Sequence, residues 1–200
     1  MKNPLMGIIK QYFVGIIFYS ILGATISFSV CKIRKINNNK IIIGITLYCS
    51  YLFALLSLTV FPRIDVGILS DTGRIYVDFI SNPLSNSSLN AIPFRSVINY
   101  LKDLFFSGNK DLRMLARLNI TGNIIVYIPM GLIPSLILHE KRIGLIVLIT
   151  FITSLSIEFI QLFIGRSSDI DDIGLNIIGS IIGYLICTLI NQIKKIKRYE

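Results

Sequence analysis

Between Ser156 and Tyr184 the chain reads SIEFIQLFIGRSSDIDDIGLNIIGSIIGY, with Glu158, Arg166, Asp169, Asp171 and Asp172 set into an otherwise apolar run. Two carboxylates beside a cation can act as general acid and base, hold a metal ion, or bind a polar ligand. Asp169, Asp171 and Asp172 are close enough to invite a divalent cation, but three carboxylates in one turn lack a full ligand set. No metal site and no cofactor is therefore expected. The single histidine, His139, stands in the turn HEKR, where a solvated loop residue is the plain reading. There is no histidine-bearing phosphatase motif, no serine–histidine pair suited to intramembrane proteolysis and no paired Asp motif of the lipid-head-group transferases. If the chain is an enzyme, Glu158, Asp169 and Asp172 are its candidate acid, base or ligands; the residue types lean towards binding instead.

Those groups need helices to position them. Ser154, Glu158, Gln161 and Gly165 follow at steps of four, three and four and so share one helical face, while Phe159, Leu162 and Phe163 cover others. Asp172, Asn176, Gly179 and Gly183 share a face of the next segment, and Gly179 with Gly183 is a small-xxx-small pair that admits a neighbouring backbone, in this chain or in a second copy. A third segment brings Asn119, Thr121, Gly122 and Asn123, followed by Pro129 and Gly131, which loosen its hydrogen-bond ladder. The expected polar pocket comprises Asn123, Glu158, Gln161, Arg166, Asp169, Asp172 and Asn176, with Arg166 as the cation for Glu158, Asp169 or Asp172. Gly122, Gly131, Gly179 and Gly183 are the expected packing positions. The competing reading makes Glu158, Gln161, Arg166 and Asn176 buried hydrogen-bonding glue between helices, and Asp169 and Asp171 a solvated turn.

The solvent for these helices is lipid. Of 200 residues, 53% are hydrophobic and 16% charged, against about 25% charged in soluble proteins, and the mean hydropathy is +0.70. Stretches 11–31, 41–61, 119–138, 143–164 and 172–193 reach the roughly 20 apolar residues that a helix needs to cross a bilayer. The reading is an all-α polytopic membrane protein: a single membrane domain over 1–200 of about five transmembrane helices, with a long extracytoplasmic loop, 62–118, carrying an amphipathic helix. The first stretch is longer than a signal-peptide core and no A-x-A site follows, so a retained helix is expected. Net charge is +9, but the basic residues fall in blocks between apolar runs, which sets topology and gives no nucleic-acid surface. Lys32, Arg34, Lys35 and Lys40, then Lys141 and Arg142, then Lys194, Lys195, Lys197 and Arg198 fall on one side. The positive-inside rule makes that side the cytoplasm, with the N-terminus outside and the C-terminus inside. Glu158 then lies in the outer half of the bilayer.

Within the outer loop, Val66 to Phe79 alternates around an Asp71-Thr72-Gly73 turn, as a hairpin would. After the polar turn SNPLSNSSLN, residues 93–106 place Phe94, Val97, Ile98, Leu101 and Phe105 at helical spacing, an amphipathic helix for the outer membrane surface. Cys31, Cys49 and Cys187 sit in apolar segments without a CxxC pair, as free thiols do.

FPR at Phe61–Arg63, NAIPF at Asn90–Phe94, GNIIVYIPMG at Gly122–Gly131 and the run Ile157–Tyr184 together resemble the VanZ-like family of bacterial membrane proteins. Tyr127 stands where Phe is more usual. The resemblance implies a cytoplasmic-membrane protein of Gram-positive type associated with lowered susceptibility to glycopeptides carrying a lipid, such as teicoplanin. Three readings stay open. One is a non-enzymatic surface protein whose pocket binds a membrane lipid, a lipid-linked wall precursor or the lipoglycopeptide, with Arg166 meeting an anionic head group and helix 93–106 acting as an interfacial cover. Another is an enzyme acting on a lipid-linked envelope substrate. The last is a small transporter or accessory subunit, for which a homodimer would supply the missing helices.

Overall fold

A computed structural model describes residues 4–69, 74–80, 89–137 and 142–196. The Asp71-Thr72-Gly73 turn, most of SNPLSNSSLN, His139, Lys141, Lys197 and Arg198 lie outside the described residues. The elements in order are α1 (Pro4–Ile33), α2 (Asn39–Thr59), β1 (Arg63–Ile68), β2 (Ile75–Ile80), β3 (Leu89–Asn90), α3 (Arg95–Phe106), α4 (Lys110–Ile137), α5 (Ile143–Phe163), β4 (Ser168–Asp169) and α6 (Ile170–Ile196). α1, α2, α4, α5 and α6 are long and apolar enough to cross a membrane, so the chain is an all-α, multi-pass architecture with small β additions. α4 begins well before the expected position 119. Asn109 accepts the backbone N–H of Asp111 at 2.8 Å, and the good helix formers Lys110 to Leu118 extend the helix beyond its apolar part.

The chain divides into two compact units, Met1–Asn86 with Phe163–Arg166, and Ser87–Leu162 with Ser167–Glu200.

In the first unit α1 packs on α2. Asn38 caps α2 by accepting the N–H groups of Lys40 and Ile41 at 3.0 and 3.4 Å. Gly23 lets the helices close, because a Cβ there would lie 2.8 Å from both the Cys49 carbonyl oxygen and the Phe53 ring. Phe61 of the FPR motif stacks on Tyr19 with ring centroids 4.6 Å apart and lies 6.1 Å from Phe53; Arg63 sits over the Tyr12 ring. β1 and β2 pair antiparallel, starting at Arg63, earlier than the alternation from Val66 suggests. Residues directly opposite share a face: Ile64 with Phe79, Val66 with Val77 and Ile68 with Ile75 form an apolar face, and Asp65 with Asp78 stands on the other. Cys31, Cys49 and Cys187 are free thiols, the first two in this unit.

In the second unit α4 packs on α6 and α3 lies against both. Three glycines make the first contact possible. A Cβ on Gly131 would strike the carbonyl oxygen of Ser180, one on Gly179 that of Ile124, and one on Gly183 that of Ile128, all far inside van der Waals contact. Small residues gain their value in lipid because packing, not water exclusion, draws helices together. Among the described residues nothing lies within 4 Å of the Cβ position of Gly122, so no close packing like that of the other three is seen there. Gly179 and Gly183 thus serve a contact within the chain, against α4. α4 continues through Pro129 and Pro134. β3 and β4 form a two-residue parallel bridge, Leu89 with Ser168 and Asn90 with Asp169, which joins the NAIPF and SSDID motifs.

Candidate functional site

The polar groups of the second unit form two layers, one helical turn apart. Asn123 and Tyr127 on α4, Glu158 and Ser154 on α5, and Asp172 and Asn176 on α6 are each four residues apart, so each pair lies on one face of its helix. In the upper layer Asn123 hydrogen-bonds the Asp172 carboxylate, and Glu158, Asp169 and Asp171 are close enough to act on it electrostatically. In the lower layer Asn176 Nδ2 donates to Ser154 Oγ at 2.7 Å. Among the described residues, Tyr127 Oη lies near Ser154 but without hydrogen-bond geometry, and Asn176 Oδ1 is likewise without a partner. Both residues are almost wholly enclosed, at 3% and 4% exposure.

Glu158 is buried about five residues before the end of α5, roughly 8 Å along the axis at 1.5 Å per residue. An ionised side chain near the middle of a transmembrane helix costs about 2.5–3.5 kcal/mol, and less towards its end. Part of that is offset locally: Glu158 Oε2 accepts the backbone N–H of Asp169 at 2.8 Å, and the Ser168 hydroxyl donates to the same carboxylate. Ser154 and Gln161, on the same face, are also buried, whereas Phe159 and Phe163 are exposed.

Asp169 and Asp171 have jobs that spacing alone did not reveal. Asp169 immediately precedes α6 and accepts the N–H of Asp171 at 3.0 Å, an N-cap; its Oδ1 also takes Asn90 Nδ2 at 3.1 Å. Asp171 is buried, which overturns its reading as a solvated turn residue. Its carboxylate accepts the N–H of Phe94 and, at 2.8 and 3.2 Å, those of Ser96 and Val97. It therefore caps α3 from another helix. The need is visible in α3 itself: Phe94, at its N-cap, has φ 65° and no capping side-chain hydrogen bond, a left-handed conformation that costs an L-residue roughly 1–2 kcal/mol. Asn90 adds a hydrogen bond to Ser96 Oγ at 2.8 Å. Tyr100, on α3 and outside the membrane helices, feels this cluster: burial first, then Asp172, Asp169 and Asp171, hold its phenol above its ordinary value.

Arg166 stands apart from these groups in the chain's division, belonging to the first unit. Its guanidinium donates to the carbonyls of Thr59 at 2.9 Å and Leu58 at 3.4 Å. Those are among the last carbonyls of α2, so Arg166 closes that helix end, where a cation also complements the dipole. This replaces its expected service as partner to Glu158, Asp169 or Asp172. Among the described residues, those carboxylates and Asp171 are met by neutral donors, the backbone N–H groups and the Ser168, Asn90 and Asn123 side chains named above. No group of three His, Cys, Asp or Glu side chains among the described residues is placed to hold a metal ion.

Two apolar hollows flank the cluster. One, of about 160 Å³, is walled by Leu155, Phe159, Leu162, Ile170 and Ile173 and has Glu158 and Asn90 in its lining. The other, of about 280 Å³, lies under the start of α3 between Phe94, Val97, Asp171 and Leu175. The first combines what an amphiphile requires: greasy walls open to the side, since Leu155 and Phe159 are 47% and 60% exposed, and a carboxylate at the inner wall.

Neither a curated protein nor a solved structure matches the chain significantly. The family model VanZ/LLP1 matches residues 48–191. That range begins within α2 and takes in the FPR turn, both hairpin strands, the NAIPF bridge, the cap of α3, the glycine seam and the carboxylate layer. With the larger part of the sequence matched, and every contact just described for the second unit inside the matched range, the chain belongs to the VanZ/LLP1 family.

Proposed function

We propose that this VanZ-type membrane protein lowers the susceptibility of a Gram-positive cell to lipoglycopeptides such as teicoplanin by holding an amphiphile in the side groove of its second unit. The observation that carries this reading is the hollow walled by Leu155, Phe159, Leu162, Ile170 and Ile173, with buried Glu158 in its lining. The amphiphile is an envelope lipid, a lipid-linked wall precursor or the drug's own acyl tail. The basic blocks support a reading with the N-terminus outside and the C-terminus in the cytoplasm, and on that reading the groove lies in the outer leaflet, on the side where such drugs meet the wall. α3 leaves Ile98, Leu101, Phe105 and Phe106 exposed, and this face rests on the membrane surface as an interfacial cover. The site binds; Asp169 and Asp171 serve as caps, which leaves Glu158 and Asp172 as the groups that face a ligand.

The test is teicoplanin and vancomycin susceptibility of a host expressing the wild type, Leu155→Trp or Glu158→Gln at matched membrane levels. Wild type raises the inhibitory concentration of teicoplanin at least fourfold and that of vancomycin little; both variants return it to that of the empty host. Full protection by Leu155→Trp, whose indole fills the groove, would contradict the reading.

A further inference from the structure

The outer face of α3 carries a charge pattern that covering the groove does not require. Along this helix Val97, Tyr100 and Leu104, at steps of three and four, are half-buried and mark the side that meets α4 and α6. Phe94, Ile98, Leu101 and Phe105, at steps of four, three and four, form another stripe and are exposed, Phe94 at 70% and Phe105 at 71%. Arg95 and Lys102, also exposed, border that stripe: Ile98 lies three residues after the one and four before the other. The pattern continues into α4. Lys110, Arg113 and Arg117, at steps of three and four, share a face, and Met114 and Leu118, exposed at 61% and 56%, stand beside it. Residues 95–118 carry five basic and two acidic side chains. The two acids, Asp103 and Asp111, each follow a lysine directly, which turns them about 100° away from it round the helix.

A face turned to water has no use for a stripe of large apolar side chains beside its cations, and a face sunk among acyl chains has no place for the cations. Both are satisfied at the layer of lipid head groups, where apolar side chains reach the acyl boundary and the stems of Lys and Arg carry their charge to the phosphates. The length of α4 supports that depth. Lys110 to Leu118 prolong it by nine residues, roughly 13 Å, beyond its apolar part, and head groups occupy about 5–8 Å on each side of a bilayer. Arg117 then lies within that layer and Arg113 at its edge. On this charge complementarity we infer that α3 and the first two turns of α4 form a docking surface for anionic phospholipid. Phosphatidylcholine also presents a phosphate, but its own ammonium cancels the charge, and an excess of cations selects the lipid that is negative overall. The inference takes up the reading of α3 as an interfacial cover and adds the chemistry of what it rests on; it needs no ligand in the groove.

The experiment places the purified full chain, one copy per disc, in nanodiscs of phosphatidylcholine alone or of equal parts phosphatidylcholine and phosphatidylglycerol, and reads amide hydrogen exchange by mass spectrometry. Phosphatidylglycerol should slow exchange over 95–106 by at least about fivefold, the worth of one basic side chain at an anionic surface. Molar salt should remove that difference. Arg95→Gln combined with Lys102→Gln abolishes the lipid dependence and leaves exchange in phosphatidylcholine unchanged. Should that pair fray α3 in phosphatidylcholine as well, Arg113→Gln with Arg117→Gln, which lie outside α3, carries the comparison. Lys194→Gln with Lys195→Gln, at the other end of α6 from the Asp171 cap, leaves the lipid dependence intact and so separates this surface from basic charge in general. Equal exchange in the two lipids, or a lipid dependence that survives both pairs of substitutions in α3 and α4, overturns the anionic-lipid assignment and leaves the groove to its own test with Leu155→Trp. Slow exchange that appears only in discs holding two copies, in either lipid, points to a second copy on this face and overturns the assignment likewise.

Discussion

The two units bury different chemistry under a similar apolar exterior. In the first, the enclosed residues include Tyr19, Cys31, Leu55 and Ile64, and the enclosed polar groups Ser27 and Ser57 turn back on their own helices. In the second, Glu158, Gln161, Asp171 and Asn176 are enclosed, and the hydrogen bonds of Glu158, Asp171 and Asn176 run from one element to another. The helix joints differ as well. α1 and α2 meet at Gly23, partly against the flexible Phe53 ring, whereas α4 and α6 meet backbone to backbone at three glycines. A unit that needs only to span the membrane can close on rings and methyl groups. One that holds carboxylates in place needs rigid joints, because each buried charge must keep its donors.

The largest expected effect breaks that contrast at its joints. Gly183→Val drives a side chain into the Ile128 carbonyl, and no rotamer relieves it. Thermal unfolding followed by circular dichroism in detergent should show loss of the folded population, a cost beyond about 3 kcal/mol. Gly23→Ala in the first unit should cost less, about 1–3 kcal/mol, since the Phe53 ring can move and the Cys49 carbonyl, at 2.8 Å, is met less closely than the Ile128 carbonyl at Gly183. Gly122→Ala, which meets none of the described residues, should be neutral or stabilise by up to about 1 kcal/mol. Equal losses for Gly183→Val and Gly23→Ala would erase the distinction.

Caps come next. Asp171→Ala strips three N–H acceptors from the start of α3 and should cost about 1–3 kcal/mol. Hydrogen exchange should accelerate at Phe94, Ser96 and Val97 more than in α4. Asn38→Ala removes a local cap in the first unit and should cost about 1 kcal/mol, with exchange rising only at the start of α2. Unchanged exchange over 94–97 in Asp171→Ala would show that α3 holds its own N-terminus.

The smallest effect is read from two tyrosines outside the membrane helices. Tyr76, in the hairpin, is raised first by Asp65, whose carboxylate accepts from its hydroxyl at 3.3 Å. Tyr100 is raised first by burial and then by the carboxylates of the second unit. Both phenols should therefore ionise above the ordinary value of about 10. A group whose folded pKa is raised adds stability that is fully present below the unfolded value and is lost as pH rises through the folded one. Molar salt should bring Tyr76 back towards its ordinary value while leaving Tyr100 raised, because salt screens exposed charges and does not reverse burial. Ultraviolet titration of Tyr76→Phe and Tyr100→Phe separates the two; equal salt responses would contradict the assignment.

Much of this was legible from hydropathy and spacing. Five apolar runs become five long helices, the alternation around Asp71–Gly73 flanks a hairpin, and residues 93–106 largely coincide with α3. Periodicity works there because each of these elements buries or exposes a face by local rules. The charged turn was less legible. For Asp171 a solvated turn and a role were equally open, because its partners lie about 75 residues away in a motif, NAIPF, that shows its missing cap only once the left-handed Phe94 is seen. Arg166 looked like a counter-ion because opposite charges near in sequence suggest pairing, while carbonyls at the end of α2 carry no sequence signal. Gly122 shares the residue type of Gly131 but meets none of the described residues, and residue type cannot report what lies opposite.

The central claim, that the second unit holds an amphiphile in its side groove, is tested most directly by native mass spectrometry of the purified full chain released from mild detergent. Leu155 on α5 and Leu47 on α2 are 47% and 48% exposed, so tryptophan at either position meets the same lipid. The account predicts a retained amphiphile on the wild type and on Leu47→Trp, and its loss from Leu155→Trp. Retention by Leu155→Trp at the wild-type level would contradict it.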